Sequence, residues 1–376
     1  MKGFNSALAL FLAIIMTFSC FAVTSFAEDE PVTDTPVTDT PTTDEPEVNE
    51  PAEDNSITVR MMNYNVAGMP NFSGKDVPLC QQIIGKYIVE NGFDIVATQE
   101  DFGYNRKLYK SMTGYNYRTC HTGSIPGGDG LNIYTKTMPI YNEKREQWLQ
   151  AYGSISEGDL LTPKGLVYAA IDIGDGIIVD FYNMHADAFD TKGSQEARYS
   201  NYMQLATLIE QNYKKNNRPV IVTGDFNHYL HATEVNSDQY KNFHQFLELK
   251  DAWIEIHNEG NYKDFSKWTS SGVGAWGNWD SVEKFLYKDG GGVTVEILDQ
   301  RFVWLKDDAG ADLSDHAAAE VSFKFTKTES FVENTGELEV KILTNPLSIF
   351  FNMISWIFKD LGYILSHIGE LVEFLG

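Results

Sequence analysis

The chain is short of positive charge and of cysteine, and one stretch near its start lacks aromatic residues altogether. Lysine and arginine number 29 against 53 aspartates and glutamates, a formal net charge of −24. So acidic a chain has no broad basic surface for holding phosphates, which argues against simple electrostatic capture of nucleic acid. Phosphate chemistry on it needs positive charge from elsewhere, and that points toward metal ions. Three cysteines in 376 residues are too few for a disulfide framework. Cys20 lies in the leader, so Cys80 and Cys120 remain, either to pair or to stand as two inert buried thiols.

The leader is defined partly by what does not follow it. Lys2 gives one positive charge, and Ala7 to Phe26 is apolar apart from small hydroxyl residues and Cys20. Ser25-Phe26-Ala27 sets small residues where signal peptidase needs them. No basic stop-transfer flank follows, which disfavours a membrane anchor, and Thr17-Phe18-Ser19 makes a poor lipobox. Residues 1–27 therefore predict a cleaved signal peptide and a secreted, extracellular protein, with attachment to a cell surface or membrane left open.

Residues 28–55 contain PVTDT, PVTDT and PTTDE in succession, with eleven acids, no basic residue and no aromatic one. Such a segment cannot bury enough apolar surface to offset its ordering entropy, so it predicts a disordered, self-repelling linker. Setting aside its eleven acids and Lys2 leaves 42 acidic and 28 basic residues, a balance of −14. The folded part is still acidic.

Residues 56–326 are enough for one large domain with a substantial core. Thr58 to Asn65 alternates and runs into Gly68 and Pro70, a strand entering a loop. Leu79 to Glu90 has helical spacing and stops at Asn91-Gly92. Short buried strands are predicted at 93–98, 167–173, 177–184, 219–223 and 282–287, with an amphipathic helix over 198–213. Many short strands with few crossover helices predict two packed sheets with helices outside.

Five polar segments sit where strands run out into loops. They are Asn63-Tyr64-Asn65-Val66-Ala67-Gly68, Thr98-Gln99-Glu100-Asp101, Asn183-Met184-His185-Ala186-Asp187, Thr223-Gly224-Asp225-Phe226-Asn227 and Leu313-Ser314-Asp315-His316. Singly each has an ordinary explanation: a helix cap, a solvated loop acid, a satisfied core histidine. Five at strand ends of one domain ask for a common one, because loops on a rigid sheet are where reactive groups gather.

In this order the segments resemble the motifs of the endonuclease/exonuclease/phosphatase superfamily, over nearly all of residues 57–326. The resemblance implies an α/β fold, a four-layer sandwich of two mixed β-sheets with helices on the outer faces. It implies hydrolysis of a phosphodiester by one in-line attack of water, with no covalent intermediate. Glu100 becomes the principal ligand of a magnesium-type ion, or of Mn2+, Ca2+ or Co2+, with Asn65 beside it and Asp315 close by. Asp225 would orient or deprotonate the water and Asn227 would hold the water or a phosphate oxygen. His185 and His316 would stabilise the charge that builds on phosphate. The family pattern has an Asp paired with the last histidine. Here Glu283 stands in that place, with Asp280 as the other candidate.

Two segments, Gly128 to Lys136 with Asn132 at its centre and Pro163 to Tyr168 with Lys164, resemble paired strands of bacterial and neutral sphingomyelinases. Asn132, Lys164 and Asp187 are the expected substrate contacts. Trp253, Trp268, Trp276 and Trp279, with Gly272, Gly274 and Gly277 among the last three, either roof the core or form a lid or membrane-touching loop. After a linker at 327–346, residues 347–376 predict an amphipathic helix, apolar around most of its girth, that docks, self-associates or lies on a membrane surface. The expected substrate is a phospholipid headgroup, with no obligate protein partner. The rivals are a secreted DNase-type endonuclease, for which Arg106, Arg118 and Arg145 are the candidate basic residues, and an inactive binding or adhesion module.

Overall fold

The computed structural model describes residues 55–69, 75–123, 128–152, 164–230, 235–264, 281–333 and 338–340. The leader, nearly all of the acidic linker, the stretch holding Trp268, Trp276, Trp279 and Asp280, and the C-terminal helix lie outside the described residues. Among the described residues no helix is long and apolar enough to cross a membrane.

One sheet is built from β1 (Ser56–Asn65), β2 (Ile95–Gln99), β3 (Tyr117–Arg118), β4 (Asn132–Thr135), β11 (Val293–Val303) and β12 (Ala318–Lys327), in the order β11-β12-β1-β2-β4-β3. The other holds β5 (Ile140–Gln147), β6 (Gly165–Gly174), β7 (Ile177–His185), β8 (Val220–Asp225), β9 (Lys250–Asp251) and β10 (Glu283–Lys288), in the order β5-β6-β7-β8-β10-β9. Each is mixed, because β1 runs parallel to β2 and β7 parallel to β8 while the other pairs are antiparallel. Two mixed six-stranded sheets with helices are what the sequence pattern predicts.

Strand periodicity decides which side chains face which layer. On β1, Val59 and Met61 join the large core shared with the second sheet. Met62 and Tyr64 instead join a smaller core with helices α1 (Val77–Asn91) and α2 (Asn105–Ser111). The same alternation on β2 sends Ile95 and Ala97 to the large core and Val96 to the helices. Helix α1 begins where the Asp76 side chain accepts from Leu79 N–H. It ends where Gly92 takes a left-handed conformation (φ 64°) and donates to the carbonyls of Ile88 and Val89. On the second sheet, α3 (Lys192–Asn216) starts six residues earlier than its apolar spacing alone suggests, because Thr191 caps it through Ser194 N–H. Two shorter helices, α4 (Val235–Leu247) and α5 (Ala252–His257), follow β8 and β9. Trp253 is buried in the large core, which is the roofing role.

The sheets are also clamped at one edge by charge. Arg145 on β5 donates to Asp129, 2.7 Å, and Glu143, 2.7 Å, and to the carbonyls of Leu131 and Cys120 on the opposite sheet's side. Its side chain is 4% exposed, so it offers nothing to a nucleic acid. Arg118 lies over the Tyr109 ring at 3.8 Å. Two of the three arginines expected to serve a nuclease are thus engaged within the fold. Cys80 and Cys120 are separate free thiols, and burial pushes both up, Cys120 to about 12, so they behave as the inert pair of the two alternatives. The chain stays attached to the domain beyond 326: Phe331 and Leu338 pack on the core, and Glu339 bonds to the Asn142 backbone at 2.8 Å.

Arg145→Met keeps the aliphatic stem but leaves Asp129 and Glu143 buried without a counter-charge. Removing one partner from a buried ion network costs about 3–5 kcal/mol. Urea unfolding should register a loss of that size, and a variant as stable as wild type would show that the clamp contributes nothing net.

Candidate active site

The inward-facing residues change character along each strand. On β1 the series is Val59, Met61, Asn63, Asn65; on β2 it is Ile95, Ala97, Gln99; on β7 it is Val179, Phe181, Asn183, His185. Apolar residues give way to polar ones toward one rim of the sandwich. At that rim β8 ends in Asp225 and β10, running the other way, begins at Glu283, its register partner. Asp315 and His316 arrive on the loop before β12. All five sequence segments therefore meet at one end of the two sheets.

Local backbone holds them there under strain. Ala67, Glu100 and Asn227 have φ of 45°, 52° and 48°, a left-handed region that non-glycine residues occupy at a cost and mostly at functional sites. The Glu100 carbonyl accepts from Gly68 and Phe102 N–H at 2.9 and 3.0 Å, which fixes the turn. Behind it Asp101 Oδ2 accepts from Thr98, Asn105, Asn132 and Tyr134. Gly224 has φ 143°, and a Cβ there would come within 2.0 Å of the Met184 carbonyl oxygen, so the step before Asp225 admits only glycine.

The centre of the site is the Asn65 amide. Its Oδ1 accepts from Ala67 N–H, and its Nδ2 lies 3.0 Å from Glu100 Oε1, 3.1 Å from Asp225 Oδ2 and 3.3 Å from His316 Nε2. The two amide hydrogens go to the two carboxylates, which leaves His316 Nε2 for a group outside. Asp225 Oδ1 accepts from Asn227 N–H at 2.9 Å, and the Asn227 side chain donates to the Ala186 carbonyl. Of the two acids proposed beside His316, Glu283 Oε1 stands 2.6 Å from its Nδ1 and takes a further bond from Ser281 Oγ.

The two histidines carry different charge. Burial alone would lower His316, but the Glu283 and Asp225 carboxylates outweigh it and hold the imidazole at about 10, so it is a cation at neutral pH. Burial lowers His185 well below the ordinary 6.5, with Lys164 and His316 adding repulsion, so it is neutral. Its Nε2 lies 3.4 Å from Asp225 Oδ2. Burial raises both Asp225 and Glu100, opposed at Asp225 chiefly by His316 and at Glu100 chiefly by the Asn65 hydrogen bond.

This donor set fits a hard divalent cation. Burial disfavours the charge on Glu100, the Asn65 amide that donates to it is neutral, and Asp315, exposed at the mouth, adds further negative charge. Asn65 Oδ1 accepts from Ala67 N–H with one lone pair and keeps a second, so Glu100, Asp315 and Asn65 are the oxygen donors this arrangement offers. Asp225, Glu283 and His316 also present ligand atoms within 4.8 Å of one another, but there the imidazole already balances the acids. Lys164 is half-buried where β6 starts, near enough to act on Glu100, Asp225 and His185. Asn132 and Asp187 have structural places. Both are buried; the Asn132 amide serves Asp101, and the Asp187 carboxylate accepts from Tyr152 N–H at 2.7 Å.

Beside the site opens a cleft of about 340 Å³. Asn227, Glu283, Asp315 and His316 line it together with Phe189, Tyr229 and Trp304. Sequence reasoning missed these aromatics, which come from three separate loops and share no spacing. Phe189 and Tyr229 each stood two residues past a motif, after Asp187 and Asn227.

The sequence profile of the endonuclease/exonuclease/phosphatase family matches residues 62–292. Sphingomyelinases of Mycobacterium bovis and Mycobacterium tuberculosis are 27% identical over 282 residues, covering 70% of this chain and 52% of theirs. The chain thus spans about half the length of these curated relatives. Among solved structures, the human Nocturnin catalytic domain with bound sulfate shares the fold at a TM-score of 0.51 and 19% identity, over 72% of this chain and 95% of that one. An endonuclease/exonuclease/phosphatase family protein from Bacteroides thetaiotaomicron does so at 0.51 and 17%, over the same shares.

The charge assigned to His316 is measurable. Histidine ring resonances followed by NMR in chelator should give His316 a midpoint near 10. Glu283→Gln should move that midpoint back toward 6.5. A pKa raised on folding stabilises the fold fully below the unfolded value of 6.5, and that contribution is lost as pH rises through 10. The stability gap between wild type and Glu283→Gln should therefore be widest near pH 6 and close toward 10. A wild-type midpoint near 6.5 would overturn the assignment.

Proposed function

The chain belongs to the endonuclease/exonuclease/phosphatase family, and on that premise we propose that it is a secreted, divalent-metal-dependent phosphodiesterase of sphingomyelinase type. The observation that carries the reaction is the convergence of Glu100, Asp225 and His316 around one amide, with His185 against Asp225, a cation-seeking acid on one sheet and a buried base on the other.

The residues have distinct tasks. Glu100 and Asp315, with Asn65 beside them, would hold the ion, which would supply positive charge against a phosphate oxygen. Asp225, with its proton affinity raised by burial, orients the attacking water and takes its proton. Asn65 and Asn227 fix the Asp225 carboxylate from either side, so that one direction of approach is set. His316 Nε2–H donates to the phosphoryl group as its charge rises, and Glu283 keeps the ring charged and aimed. His185, neutral, donates or accepts without adding a repelling charge beside Lys164.

A phospholipid headgroup is the substrate class we favour. The sphingomyelinase relatives point that way, and so do Phe189, Tyr229 and Trp304, which line the same cleft as the acids. The nuclease reading is weaker because Arg145 and Arg118 are engaged internally and the chain is strongly acidic. Secretion is proposed from the leader sequence alone.

Glu100→Gln keeps shape and removes the charge that holds the ion. Activity with magnesium on a panel of sphingomyelin, phosphatidylcholine, DNA and inositol phosphates should be greatest on a phospholipid. It should vanish in chelator and fall at least ~100-fold in the variant. Undiminished turnover in chelator would sink the metal mechanism, and DNA as the preferred substrate would sink the lipid reading.

A further inference from the structure

Beneath the site three amides, Asn63, Gln99 and Asn183, are fully buried between the sheets. Gln99 Nε2 donates to Asn63 Oδ1 and to Asn183 Oδ1, both at 2.7 Å. Asn63 Nδ2 in turn reaches the Gly224 carbonyl at 3.2 Å, and Asn183 Nδ2 reaches the carbonyls of Thr98 and Asn132 at 2.9 and 3.0 Å. These bonds run between β1 and β2 of one sheet and β7 and β8 of the other. Each member stands just below a site residue: Asn63 before Asn65, Gln99 before Glu100, Asn183 before His185, Gly224 before Asp225.

Buried amides are a costly way to fill a core, since each must find partners, and Gln99 Oε1 has none among the described residues. What they provide that leucine cannot is direction. Apolar layers tolerate sliding, whereas hydrogen bonds between fixed backbones set distance and register. We infer that Gln99, acting through Asn63 and Asn183, is a positioning residue that sets the gap between Glu100 on one sheet and His185 and Asp225 on the other. The inference rests on the phosphodiesterase reading for its catalytic consequence.

The test compares Gln99→Met with Tyr168→Phe. Tyr168 sits in the middle of β6, opposite Tyr182, and its hydroxyl donates to Asp180 at 2.9 Å, so Tyr168→Phe removes a buried hydrogen bond that involves no site residue. On bis(p-nitrophenyl) phosphate with saturating magnesium, Gln99→Met should lose at least about ten-fold in kcat with KM within about two-fold. Mn2+ binding, read by electron paramagnetic resonance without turnover, should weaken several-fold, because Glu100 has shifted. Tyr168→Phe should lower the melting temperature while leaving kcat and Mn2+ binding unchanged. Adding Asn183→Leu to Gln99→Met should cost less than the product of the two single losses, since both break one network.

If Gln99→Met does not fold, Gln99→Asn, one methylene too short to reach both acceptors, takes its place. Wild-type kcat and Mn2+ affinity in the Gln99 variant would overturn the inference, and so would an equal kcat loss in Tyr168→Phe. An inactive wild type would refute the functional reading instead, and the Mn2+ comparison would still decide the positioning role.

Discussion

The Asn65 amide lies between two carboxylates that belong to different sheets, 3.0 Å from Glu100 and 3.1 Å from Asp225. Everything reactive in this protein depends on those two acids keeping that separation. Neither sheet holds the site alone. One contributes Asn65 and Glu100 from adjacent parallel strands and His316 from the loop entering a third. The other contributes His185 and Asp225 from its own parallel pair and Glu283 from the antiparallel neighbour. A shift of one sheet over the other would break the site without breaking either sheet, so the packing between them has to be specific. The buried amides and the Arg145 clamp are the specific elements in that interface.

The same geometry sorts the two histidines. Both are pressed into a medium that disfavours charge, and burial alone would leave both neutral. His316 has two carboxylates near its Nδ1, at 2.6 and 3.8 Å, while His185 has one at 3.4 Å and faces Lys164 and His316 besides. The neighbours therefore decide, and the site holds one cationic and one neutral imidazole at the same pH. That division suits a reaction that needs a fixed positive charge on one side of phosphorus and an uncharged hydrogen-bonding group on the other.

Much of this was legible in the sequence because strand periodicity is a strong signal and polar residues at strand ends interrupt it. The fold class followed from β1, which alternates, and from the short buried strands at β2, β7 and β8. The grouping of Asn65, Glu100, His185, Asp225 and His316 followed from their places at strand ends. What could not be read were matters of direction and partner. Asn132 and Asp187 lie in motif segments, yet their side chains bond the Asp101 carboxylate and Tyr152 N–H, which depends on rotamers rather than spacing. Arg145 reads as a surface cation on a polar strand until Asp129 and Glu143 fold around it. The aromatics of the cleft are drawn from three unrelated loops. Gln99 and Asn183 carried a usable sign: an amide in the inward register of a strand that is otherwise apolar.

The ends of the described domain have a consequence for how a pull reaches the site. Ser56 begins β1 at the rim opposite the reactive one, paired with Thr326, and Asn55 bonds to Lys327 there. The segment after β12 passes Gly292 and the β6–β7 turn, where Glu333 sits against Gly176, and reaches Asn142 on the second sheet. Both described ends of the domain, at Asn55 and near Glu339, therefore lie away from the reactive rim. A pull applied at either described end bears on the far rim before it bears on the acids around Asn65.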